Sequence, residues 1–92
     1  MKFSHTPVCR RKPLTCHRVD DEVLLYDADA GATHRLNRTA YTIWRSCDGR
    51  RTGDAIAARL GRVWDVDSAQ ARTDVHRAIR QMLRHGLIER VR

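Results

Sequence analysis

The spacing of apolar residues changes its period at Asn37, and this change constrains the fold more than any other feature of the sequence. Before it, residues 22–28 have the sequence EVLLYDA, which is β-branched and aromatic at its centre and typical of a strand. The turn-forming run DADAG separates this strand from Ala32–Leu36, so the two segments predict a hairpin. Residues 14–19 can flank the hairpin and complete a three-stranded antiparallel sheet.

After Asn37, apolar residues recur every three or four positions, which is the period of an amphipathic helix. Asn37 can cap a first helix through its side-chain oxygen, and the Asp-Gly pair at residues 48–49 can end it. Thr52 can cap a second helix, which Gly61 is expected to stop or loosen. Two helices in sequence are therefore predicted directly after the sheet.

A third helix is predicted over residues 69–85, and Gly86 is a natural left-handed residue to follow it. The element order is then β-β-β-α-α-α, an α+β fold with a three-stranded antiparallel sheet before three helices. The third helix also carries a basic residue at every fourth position, namely Arg72, His76, Arg80 and Arg84. We expect these residues to form a positively charged side, which is either an ordinary solvated face or a binding surface for phosphates or an acidic peptide.

Positive charge is concentrated at the start of the chain. The formal net charge is +7, from 18 Lys and Arg against 11 Asp and Glu. Residues 1–13 contain Lys2, Arg10, Arg11 and Lys12, two prolines and no acidic residue. We therefore expect a flexible basic arm over residues 1–13, before a single domain over residues 14–92. The arm is either a solvated tail or an electrostatic attachment for an acidic partner.

The sequence contains no pattern that is typical of an enzyme or a metal site. Its 92 residues include no nucleophile elbow, glycine-rich phosphate loop or HExxH motif. The cysteines lack CxxC spacing, and the run from Cys9 to His17 is a poor match for zinc, whereas Cys47 is predicted to be a packed core thiol. The longest strongly apolar run, VLLY, is too short for a membrane span or a signal peptide. We expect a cytoplasmic protein without catalysis, metal, cofactor or membrane partner.

The last strand of the predicted sheet, Ala32–Leu36, is an edge strand. Its unpaired N–H and C=O groups could accept another strand, in which case main-chain hydrogen bonds provide affinity and side-chain pockets provide selectivity. A groove between this edge and the third helix would combine strand addition, an apolar wall and positive charge. Alternatively, His34 and Arg35 protect the edge. An open edge also allows pairing with a second copy, so a homodimer stays an alternative.

Four motifs in this order resemble the PqqD family: Arg35-Leu36-Asn37, Ile43-Trp44, the run CDGRRT at residues 47–52, and Gly86-Leu87-Ile88. The resemblance extends over residues 14–89. The family comprises peptide chaperones and recognition elements for ribosomally made, post-translationally modified peptides (RiPPs). It implies a winged-helix-like fold and a non-catalytic role, in which the domain binds the leader segment of a precursor peptide. The rest of the precursor is presented to a modifying enzyme, such as a peptidase, a cyclase or a radical SAM enzyme.

The resemblance also implies where a leader would bind, as an added strand beside the third strand and against the third helix. The corresponding strand positions are Ala32, Thr33, His34, Arg35 and Leu36. The corresponding helix positions are Arg72, Val75, His76, Ile79, Met82 and Leu83. The alternative function is a small winged-helix DNA-binding protein that uses the basic face of the third helix. Two features argue against nucleic acid: much of the excess charge lies in the arm, and the link between residues 61 and 68 is longer than a helix-turn-helix turn.

Overall fold

Three helices and six short strands make up the computed structural model, which describes residues 8–91. The strands are β1 (Val8–Arg11), β2 (Thr15–Val19), β3 (Glu22–Asp27), β4 (Ala32–Leu36), β5 (Asp48–Thr52) and β6 (Ile88–Arg90). The helices are α1 (Arg38–Ser46), α2 (Gly53–Trp64) and α3 (Ser68–Arg84). The fold is α+β, and the strand pairs among these residues are antiparallel.

The sheet predicted from the hairpin pattern is present, with the strand order β2-β3-β4. Its register places Leu25 opposite His34 and Val23 opposite Leu36. Val23 and Leu25 are 4% and 0% exposed, so alternate residues of β3 turn one face of the sheet into the core. Within residues 8–91, β4 pairs only with β3, and it is therefore an edge strand.

A second sheet, with the order β5-β1-β6, is absent from the predicted element order. The expectation of one three-stranded sheet followed by three helices is therefore wrong, because β5 lies between α1 and α2 and β6 follows α3. The three strands are short and polar, with the sequences VCRR, DGRRT and IER. They carry no hydrophobic alternation, and they form because the folded chain brings its distant segments together.

Strand β1 lies within the arm that was expected to be flexible. Cys9 is 1% exposed and belongs to the core, so the expectation of flexibility is wrong for Val8–Arg11. The guanidinium of Arg11 donates hydrogen bonds to the backbone carbonyls of Arg45 and Cys47, and it lies over the ring of Trp44 at 5.7 Å. These contacts satisfy carbonyl groups at the end of α1. Residues 1–7 of the predicted arm lie outside the described residues.

Side-chain caps begin α1 and α2 where the sequence predicted them. Asn37 Oδ1 accepts a hydrogen bond from the N–H of Ala40 at 2.8 Å, and Thr52 Oγ1 accepts one from Ala55 at 3.1 Å. The predicted end of α1 at the Asp-Gly pair is displaced, since the helix closes at Cys47 and the pair belongs to β5.

Gly61 lies inside α2, contrary to the prediction that it stops or loosens the helix. A Cβ atom at this position would lie 3.2 Å from the Cβ of Ala71, so glycine allows α2 and α3 to pack closely. Helix α2 continues to Trp64, and only residues 65–67 connect it to α3. The long link expected between residues 61 and 68 is therefore wrong, and the turn is as short as that of a helix-turn-helix.

One hydrophobic core joins both sheets to the three helices. Cys47 is 0% exposed, which confirms its prediction as a core thiol, and its Sγ atom lies 3.4 Å from the carbonyl of Ile43. Burial raises the pKa of the Cys47 thiol to about 12 and also raises the pKa of Cys9. Both thiols are therefore protonated and unreactive in the folded protein at neutral pH.

Candidate functional site

A cavity of about 210 Å³ separates the open edge of β4 from α3. Three residues of β4 line it, His34, Arg35 and Leu36. Leu36 is buried and His34 is half-buried, whereas Arg35 is exposed and pairs with Glu22 of β3 at 3.3 Å. The cavity is smaller than the 300 to 1,000 Å³ that is usual for a small-molecule site. It has room for a side chain or two from a segment lying along β4.

One face of α3 forms the opposite wall, through Ala78, Gln81, Met82 and His85. Gln81, Met82 and His85 follow Ala78 by three, four and seven positions, so the four residues lie on one side of the helix. Met82 is 3% exposed and contributes an apolar surface at the bottom, and Ala40 of α1 completes it. The side chain of Ala78 is a single methyl group, so it takes up little of the space between α3 and β4.

The bottom of the cavity is held by Leu87, which follows the end of α3. Gly86, with φ +72°, lets the chain turn back, so that the N–H of Leu87 donates to the carbonyl of Met82 at 2.9 Å. The carbonyl of Leu87 accepts hydrogen bonds from Trp44 Nε1 at 3.0 Å and from the N–H of Lys12 at 3.2 Å. Leu87 is thus fixed from α1, from α3 and from the segment after β1.

Of the five predicted strand residues, His34, Arg35 and Leu36 line the cavity, whereas Ala32 and Thr33 belong to β4 outside it, and the predicted helix residues are separated from one another. Met82 lines the cavity, and Leu83 is half-buried against the core. Val75 and Ile79 are 0% and 3% exposed and belong to the core itself. Sequence reasoning missed five lining residues, Ala40, Ala78, Gln81, His85 and Leu87. Three of them, Ala78, Gln81 and His85, share a spacing of three and four residues along the sequence. This spacing could have indicated a common helix face, and it differs from the four-residue spacing of the basic row.

Arg72 and His76 contact α2 and do not line the cavity. Their side chains lie 3.5 Å and 2.9 Å from Asp54 Oδ1, near the start of α2. The predicted row of positive charge is therefore divided, because its first two members face α2 and the last two, Arg80 and Arg84, are exposed to solvent.

The described residues contain no cluster of three or more His, Cys, Asp or Glu side chains that could hold a metal ion. In the same part of the chain, no helix combines the length and the apolar composition needed to cross a bilayer. None of the nine residues that line the groove is acidic, five of them are aliphatic or methionine, namely Leu36, Ala40, Ala78, Met82 and Leu87, and Arg35 carries a positive charge.

The family comparison matches residues 22–88 to the model of the family described as Coenzyme PQQ synthesis protein D (PqqD). The matched segment includes β3, β4, the three helices and Leu87. The chain belongs to the PqqD family. This confirms the resemblance that the sequence motifs indicated, and it places the edge strand and both walls of the groove inside the segment that defines the PqqD family. No curated protein matches the sequence.

Solved structures share the fold over nearly the whole chain. The PqqD truncation of Methylobacterium extorquens PqqCD, described as a stand-alone RiPP recognition element, has a TM-score of 0.76 and 24% identity, over 97% of this chain and 96% of that one. A lasso peptide synthetase B1 complexed with its leader peptide has a TM-score of 0.75 and 20% identity, over 89% and 98% of the two chains. TbiB1 in complex with the TbiA(beta) leader peptide has a TM-score of 0.73 and 20% identity, over 87% and 94%.

Proposed function

We propose that this PqqD-family protein binds the leader segment of a ribosomally made precursor peptide along β4 and presents the rest to a modifying enzyme. The observation that carries the proposal is the edge of β4, which has no strand beside it within residues 8–91 and faces α3 across a cavity of about 210 Å³. Support comes from the family match and from two solved structures of the same fold whose partner is a leader peptide.

Binding would proceed by strand addition. The leader extends antiparallel or parallel to β4 and forms main-chain hydrogen bonds with the N–H and C=O groups that β3 leaves unpaired. Alternate leader side chains then point toward the cavity, because successive residues of a strand face opposite sides. An apolar side chain would contact Leu36, Met82 and Leu87, which removes apolar surface from water. This mechanism requires no catalytic group, so we propose an adaptor and not an enzyme.

The test uses random twelve-residue peptides displayed on the surface of yeast and selected on immobilised protein. Selected peptides are then synthesised and titrated into ¹⁵N-labelled protein, with the backbone amide signals as the readout. We expect the largest shifts at Ala32–Leu36, together with slower hydrogen exchange of the β4 amides. Replacement of the central peptide residue by proline should weaken binding, since proline removes an N–H donor. Shifts confined to another surface would contradict the proposal.

Ala78→Gln provides a blocked groove, and Ala58→Gln provides its matched control. Ala78 is half-buried and lines the cavity, whereas Ala58 is exposed on α2 outside it. Both substitutions add the same atoms to a helix, at a small difference in helix propensity. Met82 and Ile79 are less suitable positions, because both belong to the core. We expect Ala78→Gln to lose at least tenfold in affinity and Ala58→Gln to bind like the wild type.

DNA binding is the alternative function that would replace the proposed peptide binding. The short turn before α3 is compatible with it, but Arg72 is paired with Asp54 and the comparisons give DNA binding no support. Random duplex DNA is therefore titrated at two salt concentrations. Tight binding with a steep salt dependence would favour DNA, whereas salt-tolerant binding of the selected peptides favours the adaptor.

The identity of the second partner and the self-association of the chain belong to the same proposal. We propose a peptidase, a cyclase or a radical SAM enzyme as the modifying partner, in the cytoplasm where precursor peptides are made.

Strand β2 is a second edge of its sheet within residues 8–91, and its five residues are exposed. It could therefore pair with a second copy without covering β4. Sedimentation velocity of the wild type, with and without a selected peptide, distinguishes a monomer from such a dimer.

A further inference from the structure

Two histidines meet across one end of the groove. The rings of His34 on β4 and His85 at the end of α3 have centroids 5.6 Å apart and are tilted by 50°. Both line the cavity, and within residues 8–91 neither imidazole forms a hydrogen bond with another protein group. His85 is exposed and His34 is half-buried, so their ring nitrogens are accessible to a molecule bound in the groove.

The groups around the pair leave it without a negative partner. Gln81 of α3 and Arg35 of β4 also line the cavity, and the ammonium of Lys12 lies beside Gly86, next to His85. The nearby acids are engaged elsewhere: Glu22 pairs with Arg35, and Glu89 accepts two hydrogen bonds from Arg10. A carboxylate brought in by a bound molecule would therefore be the first negative charge in the cavity.

We propose that His34 and His85 form a carboxylate-selecting subsite, so that the bound peptide carries Asp or Glu at one fixed position, next to its apolar anchor. The inference rests on the proposed function and adds the class of peptide. Two neighbouring imidazoles can donate N–H groups to the two oxygens of one carboxylate, and such charge-assisted hydrogen bonds are stronger than neutral ones. Each imidazole offers at least one ring N–H as a donor, so two rings at this distance can bind one carboxylate together.

The apolar anchor and the carboxylate would be separated by the geometry of a strand. Leu36 and His34 lie two residues apart on the same face of β4, as the register with Val23 and Leu25 shows. A peptide strand beside β4 presents every second side chain to that face. We therefore expect the acidic residue two positions away from the apolar one. A hydrogen bond from an imidazole to a charged carboxylate should favour a peptide with Glu over the same peptide with Gln by about tenfold in affinity.

The test repeats the peptide selection near pH 6 on the wild type and on three variants. His34→Phe/His85→Phe keeps two aromatic rings and removes the N–H donors, and His34→Leu/His85→Leu repeats the loss of donors with an aliphatic side chain. His17→Phe is the matched control, because His17 is exposed on β2 and does not line the cavity. One peptide from each selection is then resynthesised with Glu or Gln at the enriched position, and both affinities are measured by fluorescence anisotropy.

The expected result is an acidic residue at a fixed distance from an apolar one in the peptides selected on the wild type and on His17→Phe. Both double variants should select the apolar residue alone and bind the Glu and Gln peptides equally. If the wild type shows no acidic preference, or the double variants keep it, the subsite is wrong while the groove assignment stands. If no selected peptide loses binding to Ala78→Gln, the groove assignment itself fails, and the subsite fails with it.

Discussion

Replacement of Gly86 by alanine measures how far the end of α3 depends on backbone conformation alone. Gly86 has φ +72°, and a Cβ atom there would approach only the flexible Lys12 ammonium, at 3.9 Å. Steric overlap therefore contributes nothing, and the effect is conformational. An L-residue in the left-handed region is less stable by about 1 to 2 kcal/mol. Alanine also reduces the conformational entropy of the unfolded chain, which raises the unfolding free energy by about 0.4 to 1 kcal/mol. The expected net loss of unfolding free energy is about 1 kcal/mol.

For a domain of this size, that loss lowers the Tm by about 4 to 8 °C. Thermal unfolding followed by circular dichroism measures it, and urea unfolding provides the free energy directly. Gly86→Asn is the companion variant, since asparagine enters the left-handed region more readily than alanine does. Its Tm should lie between those of the wild type and Gly86→Ala. A Gly86→Ala variant as stable as the wild type, or an asparagine variant less stable than the alanine one, would refute the reasoning.

Three further predictions concern thiols, core packing and pH. Cys16 is the exposed thiol, so one cysteine of three should react rapidly with Ellman's reagent before unfolding and three after it; more than one fast thiol would contradict the structure. Met82→Ala should lower the unfolding free energy by about 2 to 5 kcal/mol in urea, because Met82 is 3% exposed, and a negligible loss would contradict its place in the core. The N–H groups of Arg50 and Arg51 hold the pKa of Asp48 below its ordinary 3.8, so this carboxylate stabilises the fold above about pH 4 and the stabilisation disappears as the pH falls through the lowered pKa. The unfolding free energy of Asp48→Asn should therefore fall less than that of the wild type when the pH is lowered from about 5 to about 2. Unfolding free energies that fall in parallel for the two proteins would contradict this prediction.

Local patterns predicted the elements whose signals are local. The alternation in β3, the turn before β4 and the caps at Asn37 and Thr52 all lie within a few residues of the structure they specify. Strands β1, β5 and β6 have no such signal, because each is stabilised by partners far away in the sequence. Arg10, for example, lies opposite Glu89. Short polar segments of this kind become strands only when the rest of the fold places a partner strand beside them.

The groove was predicted at its strand and missed along much of its helix for a geometric reason. A spacing of four residues overshoots one helical turn of 3.6 residues, so a row at every fourth position drifts around the helix by about 40° per step. The row that begins at Arg72 therefore starts against α2 and ends in solvent at Arg84. The wall of the cavity follows the mixed spacing of Ala78, Gln81 and His85. Which side of α3 faces β4 depends on tertiary packing, and periodicity alone does not contain it.

The central position of β1 has a consequence for how the protein is made. Of the described elements, β1 is the first to leave the ribosome, and one of its two partners, β6, is the last. The β5-β1-β6 sheet therefore closes only after β6 has been synthesised. The N–H of Val91 donates to the carbonyl of Val8 at 2.8 Å, so the first and last described residues, 8 and 91, lie side by side at one corner of the domain.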